Sequence, residues 1–186
     1  MVSDQVTAAS LPIAFFSQKN SSWGSDQIGT CTKQVGTRVV KQTLADLGCA
    51  VSSVAMAGAN TMSNLTPGTL NSYLKGVSGG YVNGCSIDWG KAANYDGTAG
   101  FKYYSSGTIK NAATLKSLID SGYYVVAYSK RWQGVNSTHW VVIYKYSGTG
   151  TSLNNFEYLD PSDSNYFRHT VGDIWVTAAS GTRTFK

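Results

Sequence analysis

The segment that most constrains the fold runs from Gly48 to Ala59, because it is small or apolar at nearly every position. Its Ala, Val, Ser and Met residues are compatible with an α-helix, and the apolar positions surround the helix instead of forming one stripe. A helix that is apolar on all sides is stable only when other elements cover it. We therefore predict a central buried helix that begins at Gly48–Cys49.

The segments that follow predict further helices and then strands. Thr66 and Pro67 are typical of the N-cap and first position of a second helix, which Gly76 ends. A third helix is expected to open at Asn111 and to close at Gly122. Segments rich in β-branched and aromatic residues then predict strands. These strands cover Tyr123–Ser129, Thr138–Ser147 and Phe156–Asp160, with a further strand or helical turn within Arg168–Ala179.

The N-terminal part of the chain gives shorter signals. Residues 1–10 are predicted to be a polar arm, and residues 11–186 a single domain. Leu11–Phe16 reads as a short buried strand, and a Gly- and Ser-rich loop is expected to follow it to about Gly36. Because helices precede antiparallel strands along the chain, the order predicts an α+β fold.

Composition excludes several classes of protein. The chain has 186 residues, of which 42% are apolar and only 13% are charged, so it can build a core but does not resemble a coiled coil or a helical repeat. Its net charge of +5 is spread without a basic cluster, which argues against nucleic-acid binding. No apolar window approaches a membrane span, and no signal peptide is recognisable at the N-terminus. We expect a monomer that is extracellular or released on cell lysis.

The three cysteines, Cys31, Cys49 and Cys85, leave at least one free thiol because their number is odd. With two histidines and no Cys-x-x-Cys motif, neither a metal site nor a cofactor is expected. A Cys31–Cys85 disulfide suits an oxidising compartment, although spacing alone does not establish it. Cys49 opens the central helix, whose dipole would stabilise a thiolate, and Gly48 would leave room for a substrate backbone. The alternative is a packed structural thiol.

Three other polar residues could act with such a thiol. His139 opens a strong predicted strand, where it could serve as a base, although it could equally be structural. Asp160 ends the next strand and could hold the imidazole in its orientation, with Asp163 as a second choice; an Asp-Pro turn is the simpler explanation. Gln18 could donate its amide to a developing oxyanion, or could be an exposed loop residue.

Four segments in this order resemble the papain-like cysteine peptidases, in the branch similar to the bacteriocin leader-processing peptidases. The segments are Phe15–Gln18 with Trp23, Leu47–Met56, Thr138–Val142 and Tyr158–Pro161. The resemblance implies a papain-like fold in which a helical part carrying the nucleophile packs on an antiparallel sheet. It also implies that Cys49 is the nucleophile, His139 the general base and acid, Asp160 the orienting residue and Gln18 the oxyanion-hole donor.

The resemblance further implies a substrate cleft lined by the segment from Gly79 to Trp89. Gly48, Trp89 and Trp140 are the predicted substrate-binding residues. Other aromatic residues could line the cleft or could be ordinary core and surface residues, namely Tyr95, Tyr103, Tyr104 and Trp132.

Three functions remain open at this point. The chain contains no phosphate-binding loop of a transporter ATPase, and its basic charge suits an anionic wall, which favours a peptidoglycan peptidase or endolysin. A protease acting on a protein or a leader peptide is the second hypothesis. A secreted toxin or effector, or a catalytically silent binding module with the same fold, is the third.

Overall fold

The computed structural model describes residues 8–97, 100–109, 111–129, 139–172 and 179–186. The helices in this part of the chain are α1 (Leu44–Leu47), α2 (Cys49–Gly58), α3 (Pro67–Gly76), α4 (Trp89–Ala93) and α5 (Ala112–Asp120), with a 3₁₀ turn at Leu153–Asn155. The strands are β1 (Ala9–Ser10), β2 (Gln27–Val35), β3 (Arg38–Thr43), β4 (Tyr81–Val82), β5 (Ser86–Ile87), β6 (Tyr103–Gly107), β7 (Tyr124–Ser129), β8 (His139–Tyr146), β9 (Phe156–Leu159), β10 (His169–Thr170) and β11 (Ala179–Phe185). None of these helices is long and apolar enough to cross a membrane.

An antiparallel sheet forms the centre of the molecule, with strand order β10-β9-β8-β7-β11-β6 and with β1 paired to β8. The long strand β8 lies between β7 and β9, so that Trp140 is opposite Tyr128 and Val142 is opposite Leu159. The last strand of the chain, β11, is inserted between β7 and β6. The pairs β2–β3 and β4–β5 form separate two-stranded sheets.

Helix α2 is buried against one face of the sheet, as its sequence predicts. Every residue from Val51 to Gly58 is buried. The hydroxyl of Ser53 donates a hydrogen bond to the backbone oxygen of Trp140, 3.2 Å away, and so joins α2 directly to β8. Helix α5 covers the opposite face of the sheet. Its Leu115 and Ile119 belong to the same buried cluster as the β7 and β8 residues that point to that face, namely Val125, Ala127, Val141 and Ile143. The sheet is thus covered by helices on both faces, and the predicted α+β class is confirmed.

The predicted helix caps are present. The Thr66 side chain accepts a hydrogen bond from the Thr69 N–H, and Pro67 is the first residue of α3. Asn111 accepts from the Thr114 N–H at 2.8 Å and opens α5. Strands β7, β8 and β9 fall within the predicted strand segments.

Three segments differ from the predictions. The stretch expected to be a loop up to Gly36 contains β2 and continues into β3, a hairpin that is largely exposed on both faces and so lacks an apolar alternation. The predicted segment Leu11–Phe16 is not a strand: the Leu11 N–H still donates to the Tyr144 oxygen at 2.9 Å, but Pro12 cannot donate and the ladder does not continue. The first strand is instead Ala9–Ser10, at the end of the predicted arm.

Candidate active site

Cys49 is the first residue of α2 and follows Gly48 at a tight junction with α1. The Gly48 N–H donates to the Leu44 oxygen at 2.7 Å, and a Cβ at position 48 would lie 2.4 Å from that oxygen. The junction therefore requires glycine on structural grounds. Gly48 itself does not line the neighbouring cavity, whereas Cys49 does.

Cys49 is the free cysteine of the chain. Cys31 and Cys85 form a disulfide, with their Cα atoms 4.7 Å apart. The Cys49 side chain is half-buried at the surface of the cleft. It is therefore a free thiol that a substrate can reach, whereas Cys31 and Cys85 are held in the disulfide.

His139 and Asp160 form a buried pair. His139 opens β8 and Asp160 directly follows β9, which is the neighbouring strand. The His139 Nε2 atom lies 2.6 Å from Asp160 Oδ1. The two residues are 9% and 1% exposed, respectively. The Ser162 N–H also donates to Asp160 Oδ1, at 2.7 Å, and helps to hold the carboxylate in place.

Cys49 and His139 line the same cavity, and the Cys49 side chain is close enough to influence the protonation of the His139 ring. Burial lowers the pKa of His139, but the hydrogen bonds and charges of Asp160 and Cys49 outweigh burial and raise this pKa to about 9. Burial raises the pKa of Asp160, but the interactions with His139 and Ser162 outweigh it and lower this pKa below 3.8. The imidazole is therefore held protonated between two potential anions.

Gln18 is buried beside this pair, and it lines the same cavity as Cys49. Its Nε2 donates to the Ala45 oxygen at 2.9 Å, and its backbone N–H donates to the Pro161 oxygen at 2.7 Å. The β2–β3 hairpin accounts for most of the long sequence between Gln18 and Cys49, and the chain returns through α1 to place Ala45 next to Gln18. A second N–H on Nε2 remains for another acceptor.

A cavity of about 420 Å³ brings these side chains together. Trp89 and Trp140 form part of its wall, with ring centroids 4.7 Å apart. The β4–β5 segment contributes further wall residues, within the region predicted from Gly79 to Trp89. The lining residues are Gln18, Ile28, Asp46, Leu47, Cys49, Ala50, Cys85, Ser86, Ile87, Trp89, His139, Trp140 and Arg183.

The other predicted aromatic residues do not line this cavity. Tyr95 contacts Tyr73, Tyr103 packs on Phe185, and Tyr104 is about half exposed. Trp132 lies outside the described residues. The sequence reasoning missed Arg183, because it lies on β11, a strand that was not predicted.

Asp163, the second choice to orient His139, pairs with a different histidine. Its Oδ2 atom is 2.7 Å from His169 Nε2. Asp160, Asp163 and His169 offer ligand atoms within 4.8 Å of one another, a grouping that could hold a metal ion. In this structure each of the two carboxylates hydrogen-bonds to a histidine, Asp160 to His139 and Asp163 to His169.

Comparison with known proteins identifies a similar fold. Neither a protein-family model nor a curated protein sequence matches the chain. A solved structure from Bacillus anthracis, described as a candidate C39-like peptidase, matches with a TM-score of 0.54 and 15% sequence identity. The match covers 97% of this chain and 98% of that chain. The protein therefore shares the α+β fold of that structure along nearly its whole length.

Proposed function

We propose that this protein is a cysteine peptidase of papain-like fold that hydrolyses peptide bonds through a thioester on Cys49. The observation that carries the proposal is the buried His139–Asp160 hydrogen bond beside the free Cys49 thiol, with all but Asp160 lining one cavity of about 420 Å³. The fold similarity to a candidate C39-like peptidase supports the same reaction class.

The first half of the reaction uses the thiolate. His139, protonated on both ring nitrogens, stabilises the Cys49 thiolate, and Asp160 fixes the ring orientation. The thiolate attacks the carbonyl carbon of the scissile bond. The Cys49 backbone N–H and the second N–H of Gln18 Nε2 donate hydrogen bonds to the oxyanion.

The second half releases both products. The tetrahedral intermediate collapses to a thioester as His139 gives its proton to the leaving amine. Neutral His139 then accepts a proton from water, which attacks the thioester. The acid product leaves, and Cys49 returns to its thiolate form with His139 protonated.

The test is a comparison of the wild type with Cys49→Ala. We expect the substitution to lower kcat/KM on casein or quenched fluorescent peptides by about 10³-fold or more, because it removes the nucleophile. Ser52→Ala, on the same helix, is a matched control that should retain activity. A Cys49→Ala variant as active as the wild type would refute the nucleophile and the mechanism. A folded wild type that binds these peptides without cleaving them would instead identify a binding module.

For the substrate, we propose the peptides of peptidoglycan. The net charge of +5 favours association with an anionic wall. The Cys31–Cys85 disulfide supports an extracellular environment. Clearing of purified walls with release of new amino groups, in the absence of casein cleavage, would support this assignment. Casein cleavage without wall clearing would favour a protease that acts on proteins or leader peptides.

A further inference from the structure

Arg183 lies at the wall of the cleft and also opens onto a second cavity. It lines the 420 Å³ cavity with Cys49 and His139, and it lines an adjoining cavity of about 600 Å³. The two cavities share Ser86, Trp140 and Arg183. The adjoining cavity is lined by Ser86, Ser106, Gly107, Thr108, Tyr128, Trp140, Gly181 and Arg183. A ligand that extends from Cys49 past Trp140 would therefore meet the guanidinium.

Two tryptophans hold this guanidinium in position. The Arg183 Cζ atom lies 5.4 Å from the ring centroid of Trp89 and 5.4 Å from that of Trp140. Cation–π contacts of this kind use the charge of the group but leave its N–H donors free. The contacts thus fix the group without satisfying its capacity for hydrogen bonding.

The N–H donors of Arg183 are almost unused. Within the described part of the chain, Nη1 donates to the backbone oxygen of Thr182 at 2.9 Å, the buried Nε has no partner, and no carboxylate forms an ion pair with the side chain. A guanidinium carries five N–H donors, arranged to bind a carboxylate through two parallel hydrogen bonds. A buried Nε without an acceptor costs free energy, which a bound acceptor would recover.

Asp46 is the one carboxylate among the described residues that line the cleft, so it could be a partner for Arg183. Its Oδ2 atom accepts hydrogen bonds from the N–H and the hydroxyl of Thr43, both at 2.9 Å. Asp46 therefore caps α1, and among the described residues it forms no ion pair with Arg183. The adjoining cavity has no acidic residue among its described lining residues.

We propose that Arg183 is the specificity residue of this cleft and binds a carboxylate of the substrate, so that the preferred substrate is an acidic peptide. This inference rests on the proposed peptidase function. Ser86 and Ser106 line the adjoining cavity, and their hydroxyl groups could donate further hydrogen bonds to the same carboxylate.

The direct test uses pairs of quenched fluorescent peptides that differ only by Glu or Gln at one position, scanned on both sides of the scissile bond. We expect the wild type to prefer Glu at one position by about 10- to 100-fold in kcat/KM, the range for a hydrogen-bonded charge pair. Arg183→Gln should abolish this preference while changing the rate on the Gln peptide much less. Arg183→Lys should retain part of it, because the charge remains but the paired donors do not.

Arg38→Gln provides the matched control. Arg38 is exposed at the turn end of the β2–β3 hairpin, so this substitution removes the same charge away from the cleft. It should leave the Glu preference unchanged. Equal rates on Glu and Gln peptides at every position, or a preference that survives Arg183→Gln, would overturn the proposal.

A labelling experiment separates this proposal from the proposed function. Chloroacetyl-glutamate amide and chloroacetyl-glutamine amide both alkylate a thiolate, forming a carbon–sulfur bond as chloride leaves. We expect Cys49 of the wild type to react faster with the glutamate reagent, and Arg183→Gln to remove the difference, as measured by mass spectrometry. If no peptide is hydrolysed but this difference is observed, the peptidase function fails and the anion site stands. If peptides are hydrolysed but neither assay shows a preference for Glu, only the anion site fails.

Discussion

At the scale of single residues, the hydrogen bond from His139 to Asp160 is the contact on which the proposed chemistry most depends. The histidine starts one strand and the aspartate follows its neighbour, so the sheet register brings them to 2.6 Å. Each residue has a simple structural explanation when its sequence is read alone. Only their combination with a free thiol at the start of a buried helix predicts a catalytic site.

Two aspartates provide a matched pair of variants for this contact. Asp160→Asn should lower kcat/KM by about 10²- to 10⁴-fold, because an amide cannot stabilise the imidazolium in the same way. Asp163→Asn removes the same charge three residues away, but from the pair with His169. It should lower kcat/KM by less than about tenfold. Peptidase assays at neutral pH test both variants, and an equal loss of activity in the two would contradict the assignment of Asp160 as the orienting residue.

At the scale of helices and strands, the elements that can be predicted from the sequence are those marked by their own residues, such as a cap or a run of apolar side chains. Helix α2 follows from its continuous apolar surface, and α3 and α5 follow from their caps, Thr66 and Asn111. The proposed catalytic residues Cys49, His139 and Asp160 lie at the ends of elements of this kind. Their approximate positions relative to the fold could therefore be predicted.

The elements that were missed lack a local sequence signal of strand structure. Strand β11 has the sequence ASGTRTF, which lacks an apolar run, yet it pairs with both β7 and β6. Most positions of the β2–β3 hairpin are exposed, including Val35 and Val39, so its strands show no regular alternation of buried and exposed residues, although they pair across the turn. Arg183 belongs to β11, so its presence in the cleft could not be read from the local sequence. The proposed anion site therefore depends on a strand without a local sequence signal, whereas the strands that carry His139 and Asp160 have one.

The disulfide joins two of the smaller elements, and its removal should destabilise the whole chain. It connects β2 to the segment between β4 and β5, with a sequence separation of 54 residues. For a loop of this length, the chain-entropy estimate is about 4 kcal/mol. We expect the double substitution Cys31→Ser/Cys85→Ser to lower the free energy of unfolding by about that amount in urea titrations.

Cys49→Ser is the control for this loss, because it replaces a cysteine that is not part of the disulfide and so leaves the cross-link intact. It should reduce the free energy of unfolding much less than the double substitution does. A free-thiol count on the native protein should give one, and a count after reduction and denaturation should give three. A double variant as stable as the wild type would show that the cross-link contributes nothing to stability.

At the scale of the whole molecule, the charged groups of the site affect folding as well as catalysis. The pKa of His139 is about 9 in the folded protein, whereas an unperturbed histidine, as in the unfolded chain, has a pKa of 6.5. Between these two pH values the folded chain binds more protons than the unfolded chain, so the free energy of unfolding falls as pH rises. The pKa of Asp160 is lowered from 3.8, so the stability that it contributes is present above that pH and is lost on further acidification. The pair therefore stabilises the protein most between pH 3.8 and pH 6.5.

Replacement of the histidine should remove this dependence. In the wild type, we expect the contribution of His139 to decline by about 3 kcal/mol at most from pH 6.5 to above pH 9. His139→Gln cannot be protonated, so its free energy of unfolding should fall less steeply over the same interval. Denaturant titrations at several pH values measure how the free energy of unfolding of each protein changes with pH. Subtracting the His139→Gln values from the wild-type values removes the contributions of groups that titrate alike in both proteins. Parallel curves would mean that folding does not raise the pKa of His139, and the protonated imidazole that the mechanism requires would then lack its physical basis.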